Sequence, residues 1–160
     1  MSADAVLDAA RRTGIRIATA ESCTGGLIAA ALTEIPGSSD VVECGIVTYS
    51  NASKQTLLGV YASTLEQFGA VSPEVAREMA EGARVRAGVE MAVAVTGIAG
   101  PGGSEFKPEG RVCFGLATSS GCLTETVEFG AIGRANVRAA AVRHALGMLQ
   151  SSLTRRASAK

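Results

Sequence analysis

Ser22 stands between an apolar run, Ile15 to Thr19, and a helix-like run that begins near Thr24, with Gly25 and Gly26 close behind it. A serine at such a junction presents its hydroxyl beside the unsatisfied N–H groups of the following helix. Glycines there let a reacting group approach the backbone. That arrangement suits attack on an acyl carbon. The same stretch, Thr19 to Gly26, also reads as a helix N-cap, a place where Ser and Thr are common. Cys23 adjoins Ser22 and offers a thiol as a rival nucleophile.

A second apolar run ends in Thr48-Tyr49-Ser50-Asn51-Ala52-Ser53-Lys54, with Ser50 or Asn51 as the natural N-cap. Lys54 then falls in the first turn of a helix, where the macrodipole disfavours a cation by about 0.3–1 kcal/mol. At about 1.36 kcal/mol per pKa unit the dipole supplies less than one unit. A working base at neutral pH needs burial and a neighbouring cation as well. A solvated surface lysine is the plainer reading of the same residue. Tyr49 either relays a proton and orients its neighbours or packs as a half-buried strand aromatic. His144 is the single histidine and lies inside a long helical run, so a Ser-His-Asp triad is disfavoured. A serine nucleophile here needs lysine, tyrosine or carboxylate help, and Ser-Lys is a known form of that logic.

The segment Gly97-Ile98-Ala99-Gly100-Pro101-Gly102-Gly103 follows a strand-like run, as phosphate-cradling loops do, but it lacks the G-K-[ST] ending of a P-loop. Loops as long as Gly97 to Gly110 are uncommon in small domains unless they serve a site, which favours a substrate-lining role over a plain connection. Arg134 and Arg138 fall in the first turns of the last helix, where positive charge opposes the dipole. Either an anion such as a substrate phosphate offsets them, or Glu21 or Glu128 pairs with them.

Taken in order, Ala20-Glu21-Ser22-Cys23-Thr24-Gly25-Gly26, Tyr49-Ser50-Asn51 with Lys54, Gly69-Ala70-Val71-Ser72, Val95 to Gly103, and Gly133-Arg134 with Val137-Arg138 resemble the CinA C-terminal domain family. The resemblance runs from about Ala5 to about Gln150. Characterised members of that family are nicotinamide-nucleotide amidases. The resemblance implies Ser22 as nucleophile, Lys54 as base and Tyr49 as its helper. It further implies substrate contacts at Glu21, Cys23, Thr24 and Gly25, and at Thr96, Gly97, Ala99, Gly100 and Arg134. Gly133 departs from the pattern, which often has a polar residue before the arginine. Family members are often fused to a second domain, and a non-catalytic nucleotide-binding or regulatory module is the alternative from another class. A different small-amide hydrolase using Cys23 is a third reading.

These residues need elements to hold them. Ala3 to Thr13 has helical periodicity and stops at Gly14. Ile15 to Thr19 and Val41 to Thr48 read as strands, with a helix from about Thr24 to Glu34 between them. Ser63-Thr64-Leu65-Glu66 has capping-box spacing, and Ser72-Pro73-Glu74 opens a longer helix. Met91 to Thr96 is a strand, Arg111 to Thr118 and Cys122 to Phe129 form a hairpin, and the last helix runs from Arg134 to about Leu153. The fold expected is α/β: a single three-layer α/β/α domain with a mixed sheet over residues 1–153. Residues 154–160 read as a disordered basic tail.

The chain has 160 residues, 15 basic and 15 acidic, so its formal charge leaves no electrostatic footprint for nucleic acid. Tryptophan is absent and aromatics make up 4%, which argues against a base-stacking platform. Cys23, Cys44, Cys113 and Cys122 lack C-x-x-C spacing and read as small buried residues in a reducing compartment. No signal-peptide core and no run of 18 apolar residues is present, so a cytoplasmic protein without a membrane span is expected. No HExxH or Cys/His cluster calls for a metal, and no cofactor is expected. The partners expected are a small-molecule substrate, nicotinamide mononucleotide by the resemblance, and further copies of the chain in a homo-oligomer.

Overall fold

Five strands, β1 (Ile17–Glu21), β2 (Val42–Val47), β3 (Met91–Gly97), β4 (Arg111–Thr118) and β5 (Gly121–Glu128), form one sheet in the order β2-β1-β3-β4-β5. The structure is a computed structural model that describes residues 2–104 and 106–159. β2, β1 and β3 are parallel, while β4 and β5 run antiparallel to their neighbours. The helices in chain order are α1 (Ala3–Thr13), α2 (Leu27–Thr33), α3 (Asn51–Leu58), α4 (Ala62–Phe68), α5 (Pro73–Ala87) and α6 (Arg134–Ser158).

Alternation along the strands decides how each face is covered. Ile17, Met91, Val93, Val95 and Phe114 pack with Leu7 of α1, Ile28 and Leu32 of α2, and Val137 and Leu149 of α6. Each fully buried aliphatic or phenyl side chain there contributes about 1.5–3 kcal/mol relative to exposure. The opposite face presents Ala18, Ala20, Ala92, Ala94 and Ala117, which pack with Leu58, Leu65, Val75 and Met79. Small residues let α5 lie close: a Cβ on Gly115 would sit 2.4 Å from the Ala76 carbonyl oxygen. The result is an α/β/α sandwich with a mixed sheet, as the alternating patterns indicate.

Chain direction then creates the crevice. β1 connects to β2 through α2 on one face, and β2 connects to β3 through α3, α4 and α5 on the other. The connections part beyond the carboxyl ends of β1 and β3, the place where open α/β sheets bind ligands. Ser22 and Gly97 both lie there.

Caps set several boundaries. Ser50 accepts from Ser53 N–H and forms a reciprocal capping box at α3, and Ser72 accepts from Val75 N–H with Pro73 opening α5. Four expectations are corrected. β1 lies at Ile17–Glu21 and not at Ile15 to Thr19, because its register is set by pairing with β2 and β3. α2 starts at Leu27 and not near Thr24, since Gly25 (φ 59°) and Gly26 (φ 103°) hold the chain in the left-handed region. The Ser63–Glu66 capping box is unused, because α4 begins at Ala62 behind Tyr61. The tail expected to be disordered from Thr154 is helical through Ser158: it contains no Gly or Pro, and Arg155 and Arg156 sit in the last turn where the dipole favours them.

Candidate active site

Glu21 closes β1 and is fully buried; its two carboxylate oxygens accept from Ile28 N–H at 2.8 Å and Ala29 N–H at 3.0 Å. It therefore caps α2, whose N-cap residue is a glycine, and the residue expected at a substrate contact lies fully buried. Fixing α2 in this way fixes the turn between them. Ser22 begins that turn, its N–H donating to the Val95 carbonyl at 3.0 Å.

Across the crevice, α3 delivers Lys54 from its first turn. Lys54 is 3% exposed, with Nζ 3.2 Å from Ser22 Oγ and 3.2 Å from the Thr48 carbonyl oxygen. Burial and the helix N-terminus both disfavour an ammonium. Nζ donates to both of these oxygens. The pair opens onto a cavity of about 360 Å³, inside the range of ligand sites.

Of the residues expected at the site, Ser22, Cys23, Tyr49, Lys54, Thr96, Gly97, Ala99, Gly100 and Arg134 line this cavity together. Thr24 is fully buried and Gly25 lies against Arg138, so neither reaches the cavity wall. Cys23 lines the cavity but is a poor nucleophile: burial pushes its thiol up to about 11, although a backbone hydrogen bond and the Arg138 guanidinium pull the other way. Among the described lining residues none is acidic, and Arg134 brings positive charge to the mouth. No group of three or more His, Cys, Asp or Glu side chains able to hold a metal occurs among the described residues.

Arg134 does not pair with Glu21 or Glu128. Its Nη1 donates to the Gly100 carbonyl at 2.7 Å and its Nη2 to Tyr49 Oη at 2.6 Å, while Glu128 takes Arg111 at 2.6 Å. Arg138 donates to the carbonyls of Cys23 and Thr24.

Further contacts shape the cavity. Ala70 and Val71 form a wall of the cavity. Thr96 Oγ1 donates to the Ala70 carbonyl at 2.8 Å, and Lys107 Nζ to the carbonyls of Phe68 and Val71 at 2.6 Å each. These bonds tie the glycine loop to the α4–α5 connection. Only the ordered block Gly69 to Ser72 hinted at it. The Thr48 carbonyl and Arg138 act through backbone contacts that side-chain types do not announce.

The buried Ser22, at the carboxyl end of β1, and the buried Lys54 of α3 thus meet beyond the parallel strands of this α/β/α sandwich domain. Its family follows from comparison: residues 1–153 match the model of the CinA C-terminal domain, and the chain belongs to that family. The crystal structure of competence/damage inducible protein CihA from Agrobacterium tumefaciens is 50% identical, with a TM-score of 0.85 over 94% of this chain and 96% of that one. A CinA superfamily protein from Klebsiella pneumoniae is 36% identical, with a TM-score of 0.89 over 96% and 98%. A CinA-like protein of Chlorobium phaeobacteroides is 61% identical over 122 residues, which is 74% of this chain but 29% of that protein. This chain thus spans less than a third of that relative's length. No helix among the described residues is long and apolar enough to cross a membrane.

Proposed function

We propose that this domain is a nicotinamide-nucleotide amidase, hydrolysing the carboxamide of nicotinamide mononucleotide to nicotinate mononucleotide and ammonia. The observation that carries the reading is the 3.2 Å contact between Lys54 Nζ and Ser22 Oγ at the wall of a cavity. The Arg134 charge at the mouth suits a substrate bearing a phosphate, and the family membership favours this amide over others.

In the proposed reaction neutral Lys54 takes the Ser22 proton as Oγ bonds to the carboxamide carbon. Backbone N–H groups of the turn after Ser22 hold the oxyanion, an arrangement in which a single donor is worth about 2.7–4 kcal/mol. The carbon–nitrogen bond then breaks, and the Lys54 ammonium returns its proton to the departing nitrogen, which leaves as ammonia. Water attacks the resulting ester, gives a proton to Lys54, and the proton passes back to Ser22 Oγ as the carboxylic acid is released. Arg134, at the mouth with Tyr49 and Gly100, is placed to receive the phosphate.

Ammonia release measured over nicotinamide mononucleotide, its riboside, free nicotinamide, glutamine and asparagine tests the assignment. The mononucleotide is expected to be turned over fastest. Preference for an amino-acid amide would replace the substrate, and no release from any of them would leave a binding module.

A further inference from the structure

Arg138 stands behind the nucleophile turn, outside the cavity, and is half-buried. Its Nε donates to the Cys23 carbonyl at 3.1 Å and its Nη2 to the Thr24 carbonyl at 3.3 Å, across 115 and 114 residues of sequence. The Thr24 carbonyl also accepts from Leu27 N–H at 3.0 Å, and Gly25 N–H donates to the Ser22 carbonyl at 2.9 Å. Gly25 at φ 59° leaves room for the guanidinium: a Cβ there would stand 3.2 Å from Nη2.

In a trans peptide the C=O and the next N–H point in opposite directions. A guanidinium that holds the Cys23 carbonyl toward α6 therefore turns the Thr24 N–H away from α6. Rotating that peptide would leave a buried carbonyl unpaired and aim the N–H at a cation, both unfavourable. The planar fork of arginine reaches two acceptors in fixed directions, which a lysine ammonium does not reproduce.

We propose that Arg138 is a positioning residue that holds the turn after Ser22 rigid, and with it the Ser22 hydroxyl against Lys54 Nζ. The proposal rests on Ser22 being the nucleophile. It assigns Arg138 no contact with substrate, which separates it from Arg134 at the cavity mouth.

The test compares wild type, Arg138→Ala and Arg138→Lys by kcat and KM for nicotinamide mononucleotide, by the rate of Ser22 labelling with a fluorophosphonate, and by thermal melting. Misplacing a reacting group by about 1 Å costs about 10²-fold in rate. Both variants should lose kcat in that range with KM within about threefold, label Ser22 correspondingly slowly, and, for Arg138→Ala, regain turnover when guanidinium is added at non-denaturing concentration. Arg138→Lys, which keeps charge and bulk, carries the test if the alanine variant does not fold. Wild-type kcat and labelling in a folded variant would overturn the proposal, as would a loss confined to KM. A wild type that turns over no amide yet labels at Ser22 removes the substrate assignment and leaves the labelling comparison to decide Arg138. A wild type unlabelled at Ser22 removes the nucleophile, and this proposal with it.

Discussion

The Tyr49 phenol accepts a 2.6 Å hydrogen bond from Arg134 Nη2, while Nη1 of the same guanidinium donates to the Gly100 carbonyl at 2.7 Å. One arginine thereby joins the end of β2, the glycine loop and the start of α6 across the cavity mouth. The sequence reading made Tyr49 a helper of the Ser22–Lys54 pair; here its hydroxyl is engaged by Arg134. The expected consequence is that Tyr49→Phe and Arg134→Ala act through one shared contact. A charge-assisted hydrogen bond contributes about 1.5–3 kcal/mol, so each variant should lower kcat/KM by roughly ten- to over a hundredfold. The double variant should be little worse than the more damaged single one. Strictly additive losses in the double-mutant cycle would separate the two residues.

Substrate truncation addresses the cavity's charge. If the 5′-phosphate binds at Arg134, its binding energy helps position the amide, so the riboside and free nicotinamide should lose kcat as well as affinity. Arg134→Ala should damage turnover of the mononucleotide and leave the other two nearly unchanged. Equal kcat/KM for mononucleotide and riboside in the wild type would remove the phosphate site.

Cys23 offers a prediction from pH. Its thiol is raised from 9.0 to about 11, chiefly by burial. Below about pH 9 the residue is a neutral thiol both folded and unfolded, and its contribution to stability is fully present. As pH rises from 9 through 11 the unfolded chain releases the proton first, so stability falls by about 2–3 kcal/mol at roughly 1.36 kcal/mol per unit. Chemical denaturation across that range should show a smaller decline in Cys23→Ala than in wild type. Cys23→Ala should also keep most of the amidase activity, and iodoacetamide at pH 7.5 should modify Cys23 slowly. A decline of the same size in both proteins would contradict the burial argument.

The close approach of α5 to the sheet is tested at Gly115, where a Cβ would meet the Ala76 carbonyl oxygen at 2.4 Å. Overpacking of this kind costs about 1–3 kcal/mol. In a domain of this size that corresponds to about 2–4 °C of Tm per kcal/mol, read by calorimetry of Gly115→Ala. An unchanged Tm would mean that α5 moves away freely.

What the sequence made legible was local. Ser50 and Ser72 read as caps because the cap lies within three residues of its partner, and strand-like runs set between helix-like runs marked an α/β layered domain. Ser22 stood out because a strand and a helix met around it. The capping role of Glu21 was not legible, because its partners are backbone N–H groups of Ile28 and Ala29, invisible as residue types. Lys107 and the Thr48 carbonyl went unseen for the same reason, and Arg138 stood out by type but not by the carbonyls it holds: these contacts join side chains to backbone, two of them across long stretches of sequence. The extension of α6 to Ser158 was missed because a basic, serine-containing composition was weighed above the absence of any helix breaker.

The pairing of Ser22 with Lys54 is the centre of the account, and ammonia release from nicotinamide mononucleotide by Ser22→Ala beside Cys23→Ala tests it most directly. Loss of the nucleophile in a lysine-activated site removes the covalent route, so Ser22→Ala should fall by about 10⁴-fold or more in kcat while remaining folded. Cys23→Ala should stay near wild type, its thiol being protonated at assay pH. A Ser22→Ala enzyme that still releases ammonia at the wild-type rate, or a Cys23→Ala enzyme that is the inactive one, would contradict the assignment.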